Sequence, residues 1–247
     1  MRTVRVTRYV TPLREGGSLP AIVEADDDGL YVLKFRGAGQ GARALIAELL
    51  SGEIARAIGL PVPEIVFAEI DPDLSRTEPD PEIHALILDS AGLNLALDYL
   101  PGSVMFDPSI DRPAADLASR IVWFDAFVSN VDRTARNTNM LMWHRGLWLI
   151  DHGASLYFHH SPGWPAESGR ATDPFAMIRT HVLLRAAADL ENVDEALATA
   201  LTGDVLSRIV GLIPDAWLDD PRDAYLAYLG DRLRGPRAFV EEAARAR

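Results

Sequence analysis

The stretch SNVDRTARNTNMLMWHRGLWLIDHGASLYFHH, residues 129–160, places polar side chains against an apolar run. Its carboxylates and amides include Asp132, Asn137, Asn139 and Asp151. Such groups beside a protein core cost free energy unless a partner satisfies them. The stretch therefore predicts that these groups hold a metal ion, a phosphate or one another.

The spacing of these groups is typical of a site for phosphoryl transfer. Four residues separate Asp132 from Asn137, and Asp151 ends an apolar strand directly before His152 and Gly153. In protein kinases an Asp-x4-Asn loop followed by Asp-Phe-Gly supplies a catalytic base and the ligands for Mg²⁺, a hard ion that prefers oxygen. The pattern predicts one carboxylate as the base, with the amide and the second carboxylate as metal ligands.

The first part of the chain contains a second element of kinase chemistry. Lys34, in the apolar segment LYVLKF, is the only lysine of the sequence. Kinases use a lysine on a strand to contact the nucleotide phosphates and a helical glutamate to hold that lysine. Glu48 and Glu53 follow in the next predicted helix, and residues five apart on a helix point in different directions. We expect Glu48 to pair with Lys34.

Composition restricts the class of protein. The chain has 247 residues, of which 48% are apolar and 24% are charged, and this is enough for one large domain or two lobes. Its net charge of −12 argues against a protein whose main affinity is for nucleic-acid phosphates. The sequence has no cysteine, no apolar leader segment and no apolar run long enough to span a bilayer. We therefore expect a cytoplasmic protein without disulfides or a membrane span.

The residues before Pro101 are predicted to be rich in strands. Alternating apolar residues over 3–10 predict a strand, and Asp28–Gly29 predicts the turn of a hairpin. A helix from Ala42 to Ile58 is expected to end at Gly59. The segments expected to form the remaining strands are VPEIVFAEI, HALILDS and AGLNLALDYL. The loop DPDLSRTEPDPE is expected to be the least ordered internal segment.

The residues after Pro101–Gly102 are predicted to be mainly helical. The segment PAADLASRIVWFDAFVSN predicts a long helix, and MLMWH and GLWLID predict two short strands joined at Arg145–Gly146. Residues 174–247 are rich in Ala, Leu and Arg and predict further helices. We expect an α+β fold with two lobes, residues 1–101 and 102–247, and a ligand-binding cleft between them.

The combination YVLKF, AELLSGEIARAIGLPVPE, VSNVDRTARNTNMLM and LWLIDHGASL resembles the HipA-like serine/threonine kinases, in particular short stand-alone relatives of the toxin. The resemblance implies a two-lobed protein-kinase-like fold, ATP with Mg²⁺ or Mn²⁺ as cofactors, and phosphate transfer to Ser or Thr of a protein. It also implies an antitoxin-like partner. The matching residues are Lys34 for phosphate contact, Glu48 for lysine pairing, Asp132 as catalytic base, and Asn137 and Asp151 as metal ligands.

The sequence departs from the protein-kinase pattern at several positions. Asn130 stands where protein kinases have the His of H-R-D, and His152 replaces the Phe of D-F-G. No G-x-G-x-x-G precedes Lys34. The residues that we expect to contact the nucleotide besides this lysine are Gly16, Gly17, Ser18, Asp98 and Leu100.

Three other interpretations stay open. The loop DRTARNTN is also similar to the catalytic loop of phosphoinositide-type lipid kinases, which makes a lipid or small molecule an alternative acceptor. An ATP-binding pseudokinase or scaffold would keep the site without transferring phosphate. A metal-dependent hydrolase would use imidazole ligands from the set His144, His152, His159 and His160. The hydrolase interpretation leaves Lys34 and Glu48 without a role.

Overall fold

The computed structural model describes residues 1–13, 19–161, 163–165 and 170–247. The strands are β1 (Thr3–Pro12), β2 (Ala21–Ala25), β3 (Leu30–Lys34), β4 (Ile65–Ile70), β5 (Gly92–Asp98), β6 (Val104–Met105), β7 (Met140–Trp143) and β8 (Gly146–Leu149). The α-helices are α1 (Ala42–Ala57), α2 (Pro81–Asp89), α3 (Ala115–Phe127), α4 (Leu190–Ala200), α5 (Gly203–Val210), α6 (Arg222–Leu233) and α7 (Ala238–Ala246). The 3₁₀ helices are Pro72–Thr77, Tyr157–His160, Arg170–Thr172, Ala176–Thr180, Leu184–Ala186 and Asp215–Trp217.

The chain divides into two compact units. The first comprises Met1–Leu49 and Pro63–Pro101, and the second comprises Leu50–Val62 and Gly102–Arg247. The units differ from a simple division at residue 101 because the second half of α1 and the turn after it belong to the second unit. Assignment of separate functions to residues 1–101 and 102–247 stays a prediction.

The first unit is built on a closed five-stranded barrel in the order β1-β2-β3-β5-β4. Strand β1 pairs in parallel with β4, and the other neighbouring strands are antiparallel. Alternate residues of a strand point to opposite faces, so Val23 and Leu33 are buried in the barrel core. The hairpin predicted at Asp28–Gly29 is confirmed, since β2 and β3 flank this turn. Lys34 ends β3 opposite Leu95 of β5.

Helix α1 confirms the prediction from the sequence and ends one residue earlier than expected. The helix buries the apolar side chains Leu45, Leu49 and Ile54, and Ile58 directly after it is buried as well. Gly59 follows the helix with a φ of 75°, a conformation that glycine adopts without a steric cost. A residue with a Cβ would therefore strain the turn at this position.

The strand predicted over HALILDS is wrong, because these residues form most of helix α2. Asp80 caps the helix by accepting a hydrogen bond from the N–H of Glu82 at 3.0 Å, and Pro81 occupies the first turn, where no N–H is needed. Ile83, Leu86 and Ile87 are then buried at helical spacing. Short apolar runs do not distinguish a strand from a helix. In this segment the N-cap at Asp80 favours the helix. The preceding loop, expected to be poorly ordered, contains the 3₁₀ helix Pro72–Thr77.

The second unit combines a small sheet, in the order β6-β7-β8, with most of the helices. Helix α3 and the helical character of residues 174–247 confirm the predictions. The β7–β8 turn consists of His144 and Arg145, one position before the predicted Arg145–Gly146. Both residues have positive φ angles, 48° and 64°, as a two-residue hairpin loop that matches strand twist requires. In the described part of the chain, no helix is both long and apolar enough to cross a membrane.

Candidate active site

Lys34 and Glu48 form an ion pair within the first unit. The Lys34 Nζ lies 3.5 Å from Glu48 Oε2, and the two side chains are only 11% and 2% exposed. The pair joins the last residue of β3 to the first half of α1. A charge that is removed from water needs such a partner, and a lysine held in this way has a fixed ammonium group for an anionic ligand. The alternative acid, Glu53, instead contacts Arg56 on its own helix at 3.4 Å.

Asp132 is held by two amide side chains in the loop between α3 and β7. The Asn137 Nδ2 donates to Asp132 Oδ2 at 2.7 Å, and Asn139 Nδ2 donates to the same oxygen at 3.2 Å. An ionised carboxylate only accepts hydrogen bonds, so the nitrogen of each amide must face it. The carbonyl oxygen of Asn137 is then directed away from Asp132, in an exposed side chain, and is suited to a metal ion.

The backbone of this loop is tightly folded. The N–H of Thr134 donates to the carbonyl oxygens of Asp132 and Asn137, at 3.0 and 2.9 Å. Asn139 has a φ of 48°, a left-handed conformation that asparagine tolerates better than most residues. This conformation ends the loop and allows β7 to begin at Met140.

The segment that carries Asp151 is tied to the same loop at both ends. The N–H of Ile150 donates to the carbonyl of Asn139 at 3.1 Å, and the N–H of Leu156 donates to Val128 at 2.8 Å. Asp151 lies between these two hydrogen bonds and has a φ of 55°. The structure therefore brings the Asp132–Asn137 loop and the Asp151 segment together within the second unit.

The histidines predicted as alternative metal ligands pack against aromatic rings. His152 is fully buried and contacts Phe124 edge to face, with ring centroids 5.7 Å apart. His159 and His160 contact each other through Nε2 at 3.0 Å, and His159 Nδ1 lies 3.3 Å from the Tyr225 hydroxyl. No group of three His, Asp or Glu side chains is placed to hold a metal ion among the described residues.

A buried carboxylate, Asp125 of α3, lies beside the loop that carries Asp132. It accepts hydrogen bonds from Asn130, Arg133 and His181, at distances between 2.6 and 3.3 Å. Burial alone would raise the pKa of Asp125, but the charge of Arg133 and the hydrogen bond from His181 outweigh it and hold the pKa below its ordinary value. Asp125 is therefore an anion in the core.

A family model described as HipA-like kinase matches residues 6–229 of the chain. The chain belongs to the HipA-like kinase family. This assignment confirms the resemblance found in the sequence and identifies the protein as a kinase. No curated protein matches the chain.

Solved structures of other kinases share the fold of this HipA-like kinase. The proinflammatory kinase CtkA of Helicobacter pylori is 12% identical with a TM-score of 0.54, over 99% of this chain and 97% of that one. The Golgi casein kinase with Mn/ADP bound is also 12% identical with a TM-score of 0.54, over 98% of this chain and 74% of its own. At such low identity these likenesses establish the fold alone, a kinase fold that mixes helices and strands.

The remaining nucleotide contacts predicted for this HipA-like kinase lie in the first unit or outside the described residues. Gly16, Gly17 and Ser18 fall outside the described residues. Asp98 ends β5 opposite Tyr31, and its N–H donates to the carbonyl of Glu64 at 2.8 Å. Burial, followed by the nearby carboxylate of Glu64, raises the pKa of Asp98. Leu100 is buried two residues later.

Several residues that contact Asp132 or Asp125 have no role predicted from the sequence. Asn130 was noted only as a departure from H-R-D, and Asn139 only as a polar group of the opening stretch. The lone carboxylate of Asp125, within the apolar run IVWFDAFV, is a signal of a buried partner that could have been read. His181 gives no local signal because it contacts Asp125 from 56 residues further along the chain.

Proposed function

We propose that this HipA-like kinase is an ATP- and Mg²⁺-dependent phosphotransferase with the two-lobed protein-kinase architecture, acting on Ser or Thr of a protein. The observation that carries the proposal is the hydrogen bond of 2.7 Å between Asn137 and Asp132. This hydrogen bond fixes the orientation of the Asp132 carboxylate. It also directs the carbonyl oxygen of Asn137, a neutral metal ligand, away from that carboxylate. Catalysis of phosphoryl transfer consists almost entirely of such positioning and of charge stabilisation.

Each residue of the proposed site has one task. The acceptor hydroxyl oxygen attacks the γ-phosphorus of ATP, the bond from that phosphorus to the ADP oxygen breaks, and Asp132 takes the hydroxyl proton. Lys34, oriented by Glu48, binds the phosphates. Asn137 and Asp151 would hold Mg²⁺, which when bound neutralises charge on the phosphate oxygens. The Golgi casein kinase, whose structure contains Mn and ADP, supports a nucleotide and a divalent metal ion as cofactors.

Asp98 and Leu100 complete the proposal for nucleotide binding. Both lie on the chain just before Pro101, in the same unit as Lys34. The backbone of this segment and the buried side chain of Leu100 are suited to the base of the nucleotide, because an aromatic base needs both apolar contact and hydrogen-bonding groups.

A lipid or a small molecule is the second candidate acceptor, because the loop DRTARNTN is similar to that of phosphoinositide-type kinases. The deciding experiment is incubation with γ-labelled ATP, Mg²⁺ and a heat-inactivated cell lysate, followed by separation of proteins, lipids and small molecules. Label on serine or threonine of protein supports the first candidate, and label on a lipid or small molecule supports the second. If no fraction is labelled, phosphotransferase activity is contradicted and a pseudokinase is indicated.

Lys34→Met is expected to weaken binding of Mg²⁺–ATP by about 10- to 100-fold, the cost of one hydrogen bond to a charged group. Glu48→Gln should have a smaller effect, because Glu48 orients the lysine and does not contact the phosphates in this proposal. Isothermal titration with a non-hydrolysable ATP analogue measures both changes.

Arg56→Met is the matched control for this prediction. It also removes the cation of an ion pair on α1, since Arg56 lies 3.4 Å from Glu53. We expect it to bind the analogue as the wild type does. Equal binding by Lys34→Met and by the wild type would disprove the assignment of Lys34.

Removal of divalent ions with EDTA should abolish both the nucleotide-induced thermal shift and phosphoryl transfer, and Mg²⁺ or Mn²⁺ should restore them. The proposed ligands are oxygen donors, and the chain has no cysteine thiolate to favour Zn²⁺. Metal analysis of the purified protein provides the independent check. Tightly bound zinc, together with transfer that persists in EDTA, would contradict this prediction.

A further inference from the structure

The buried carboxylate of Asp125 is connected to the proposed base, Asp132, by two separate chains of hydrogen bonds. The first chain runs through Asn130. Its Nδ2 donates to Asp125 Oδ1 at 2.8 Å, and its Oδ1 accepts the backbone N–H of Asp132 at 3.0 Å. Asn130 is 4% exposed, so no water competes strongly for these bonds. This chain fixes the backbone of the proposed base.

The second chain runs through Arg133 and fixes the side chain. The Arg133 Nε donates to Asp125 Oδ2 at 2.6 Å, and a terminal nitrogen of the same guanidinium donates to the carbonyl of Asn139. The amide of Asn139 then donates to Asp132 Oδ2 at 3.2 Å. Arg133 is 1% exposed, and each of its three side-chain nitrogens donates to Asp125 or to the carbonyl of Asn139. Movement of Asp125 would therefore be transmitted to both the backbone and the carboxylate of Asp132.

His181 is a further partner of the Asp125 carboxylate, besides Asn130 and Arg133. Its Nε2 contacts Asp125 Oδ2 at 2.8 Å, and its Nδ1 accepts the N–H of Leu183 at 3.0 Å. Because Nδ1 accepts the N–H of Leu183, Nε2 is the ring nitrogen that can donate to Asp125. The backbone of this segment is also attached to the loop, since the N–H of Val182 donates to the carbonyl of Arg133 at 3.1 Å.

We propose that His181 is a positioning residue for phosphoryl transfer, which orients Asp132 by fixing the shared carboxylate of Asp125. The inference rests on the proposed role of Asp132 as the base. It assigns a function to the segment around the 3₁₀ helices Ala176–Thr180 and Leu184–Ala186, which contains none of the predicted catalytic or metal-binding residues. The segment supplies a hydrogen-bond donor that the catalytic loop itself does not contain.

Two substitutions separate the two hydrogen bonds of the imidazole. In His181→Gln, the side-chain nitrogen is the same number of bonds from Cα as Nε2, so the donor to Asp125 is kept and the acceptor for Leu183 is lost. In His181→Asn, an oxygen takes the place of Nδ1, so the acceptor for Leu183 is kept and the donor to Asp125 is lost. Both variants are uncharged and remove the ring.

The measured quantities are kcat and KM for ATP. Turnover is counted as the sum of released phosphate and label transferred to a heat-inactivated lysate. His181→Gln should retain the turnover of the wild type. His181→Asn should lower kcat by about 10- to 100-fold, the effect of a small misplacement of a catalytic group, with KM unchanged. The opposite order would show that His181 acts through its hydrogen bond to Leu183. Equal loss in both variants would show that the hydrogen bond to Asp125 does not account for the effect, and either result would overturn the proposal.

Two further variants keep the outcome interpretable. Asp132→Asn is the reference: if it transfers phosphate as the wild type does, the proposed role of Asp132 as the base fails, whereas an inactive Asp132→Asn beside two fully active His181 variants refutes only the inference. If His181→Asn does not fold, Asn130→Ala interrupts the first chain without touching the histidine and should lower kcat in the same way. Wild-type turnover in a folded Asn130→Ala also contradicts the proposal.

Discussion

Asp132→Asn should still bind Mg²⁺–ATP, but its rate of phosphoryl transfer should fall by about 10²- to 10⁴-fold, the usual contribution of a general base. The proposed base accepts the proton of the acceptor hydroxyl and makes no direct contact with the phosphates. Its amide replacement cannot take this proton, and it also brings a nitrogen donor towards the donating amides of Asn137 and Asn139. Nucleotide affinity, set by other groups, should change little.

Asp151→Asn should differ from Asp132→Asn in nucleotide binding and should lose both binding and transfer. As the charged ligand of the proposed metal site, Asp151 contributes to nucleotide affinity through Mg²⁺, so its loss should remove the thermal shift that Mg²⁺–ATP produces in the wild type. Transfer should then fail because the nucleotide is not held. The two substitutions make the same chemical change 19 positions apart, and each controls for the loss of one carboxylate in the other.

The test combines thermal unfolding, with and without Mg²⁺–ATP, and transfer to the lysate acceptors. If Asp132→Asn loses the nucleotide-induced shift while Asp151→Asn keeps it, the two aspartates have been assigned in the wrong order. If neither substitution changes either measurement, the proposed site is not where phosphate is transferred.

The parts of the site that could be predicted from the sequence are those whose residues lie at a characteristic spacing along the chain. Asp132 and Asn137 are separated by four residues, and a short loop of that length brings their side chains together. Lys34 and Glu48 were found because a single lysine on an apolar strand is conspicuous. Their pairing at 3.5 Å agrees with the prediction, while their role in binding a nucleotide stays a prediction.

The errors and omissions have different physical causes. HALILDS was assigned to a strand because an apolar run has no clear period, and the helix depends on the cap at Asp80. The contribution of His181 depends on a tertiary contact across 56 positions, which no local pattern encodes. Asn139 acts through its position in a folded loop, where a φ of 48° turns its amide towards Asp132.

Asp125→Asn is expected to be strongly destabilising, lowering the free energy of unfolding by about 3–5 kcal/mol. Asp125 and Arg133 are both fully buried and lie 2.6 Å apart, so loss of the anion leaves an uncompensated cation in the core. The new amide nitrogen would also face donors, since Arg133 and His181 both donate to the carboxylate oxygens. Urea unfolding followed by circular dichroism measures the change.

Asp215→Asn is the matched control at the surface. Asp215 contacts Arg222 at 2.7 Å, almost the same distance, but its side chain is 91% exposed. Water and salt screen such a pair, so we expect a change of about 0–1 kcal/mol. A comparable loss of stability in the two variants would show that burial of Asp125 does not determine the strength of its interaction.

The contribution of Asp125 to stability should also depend on pH in a defined direction. The pKa of Asp125 is lower in the folded protein than its ordinary value, so the folded state binds fewer protons there than the unfolded state. The stabilisation is therefore complete above the unfolded pKa of about 3.9 and is lost as the pH falls towards the folded pKa. The difference in stability between wild type and Asp125→Asn should be constant from pH 8 to about pH 5 and should shrink in stronger acid.

A double-mutant cycle with Arg133→Met identifies the source of this stability. If the loss in Asp125→Asn comes mainly from an unpaired buried cation, removing the cation as well should relieve part of it. The double variant should then be less destabilised than the sum of the single variants, by more than about 1 kcal/mol. Strict additivity would mean that the two groups act independently, and it would remove the physical basis for a shared carboxylate that transmits the position of His181 to Asp132.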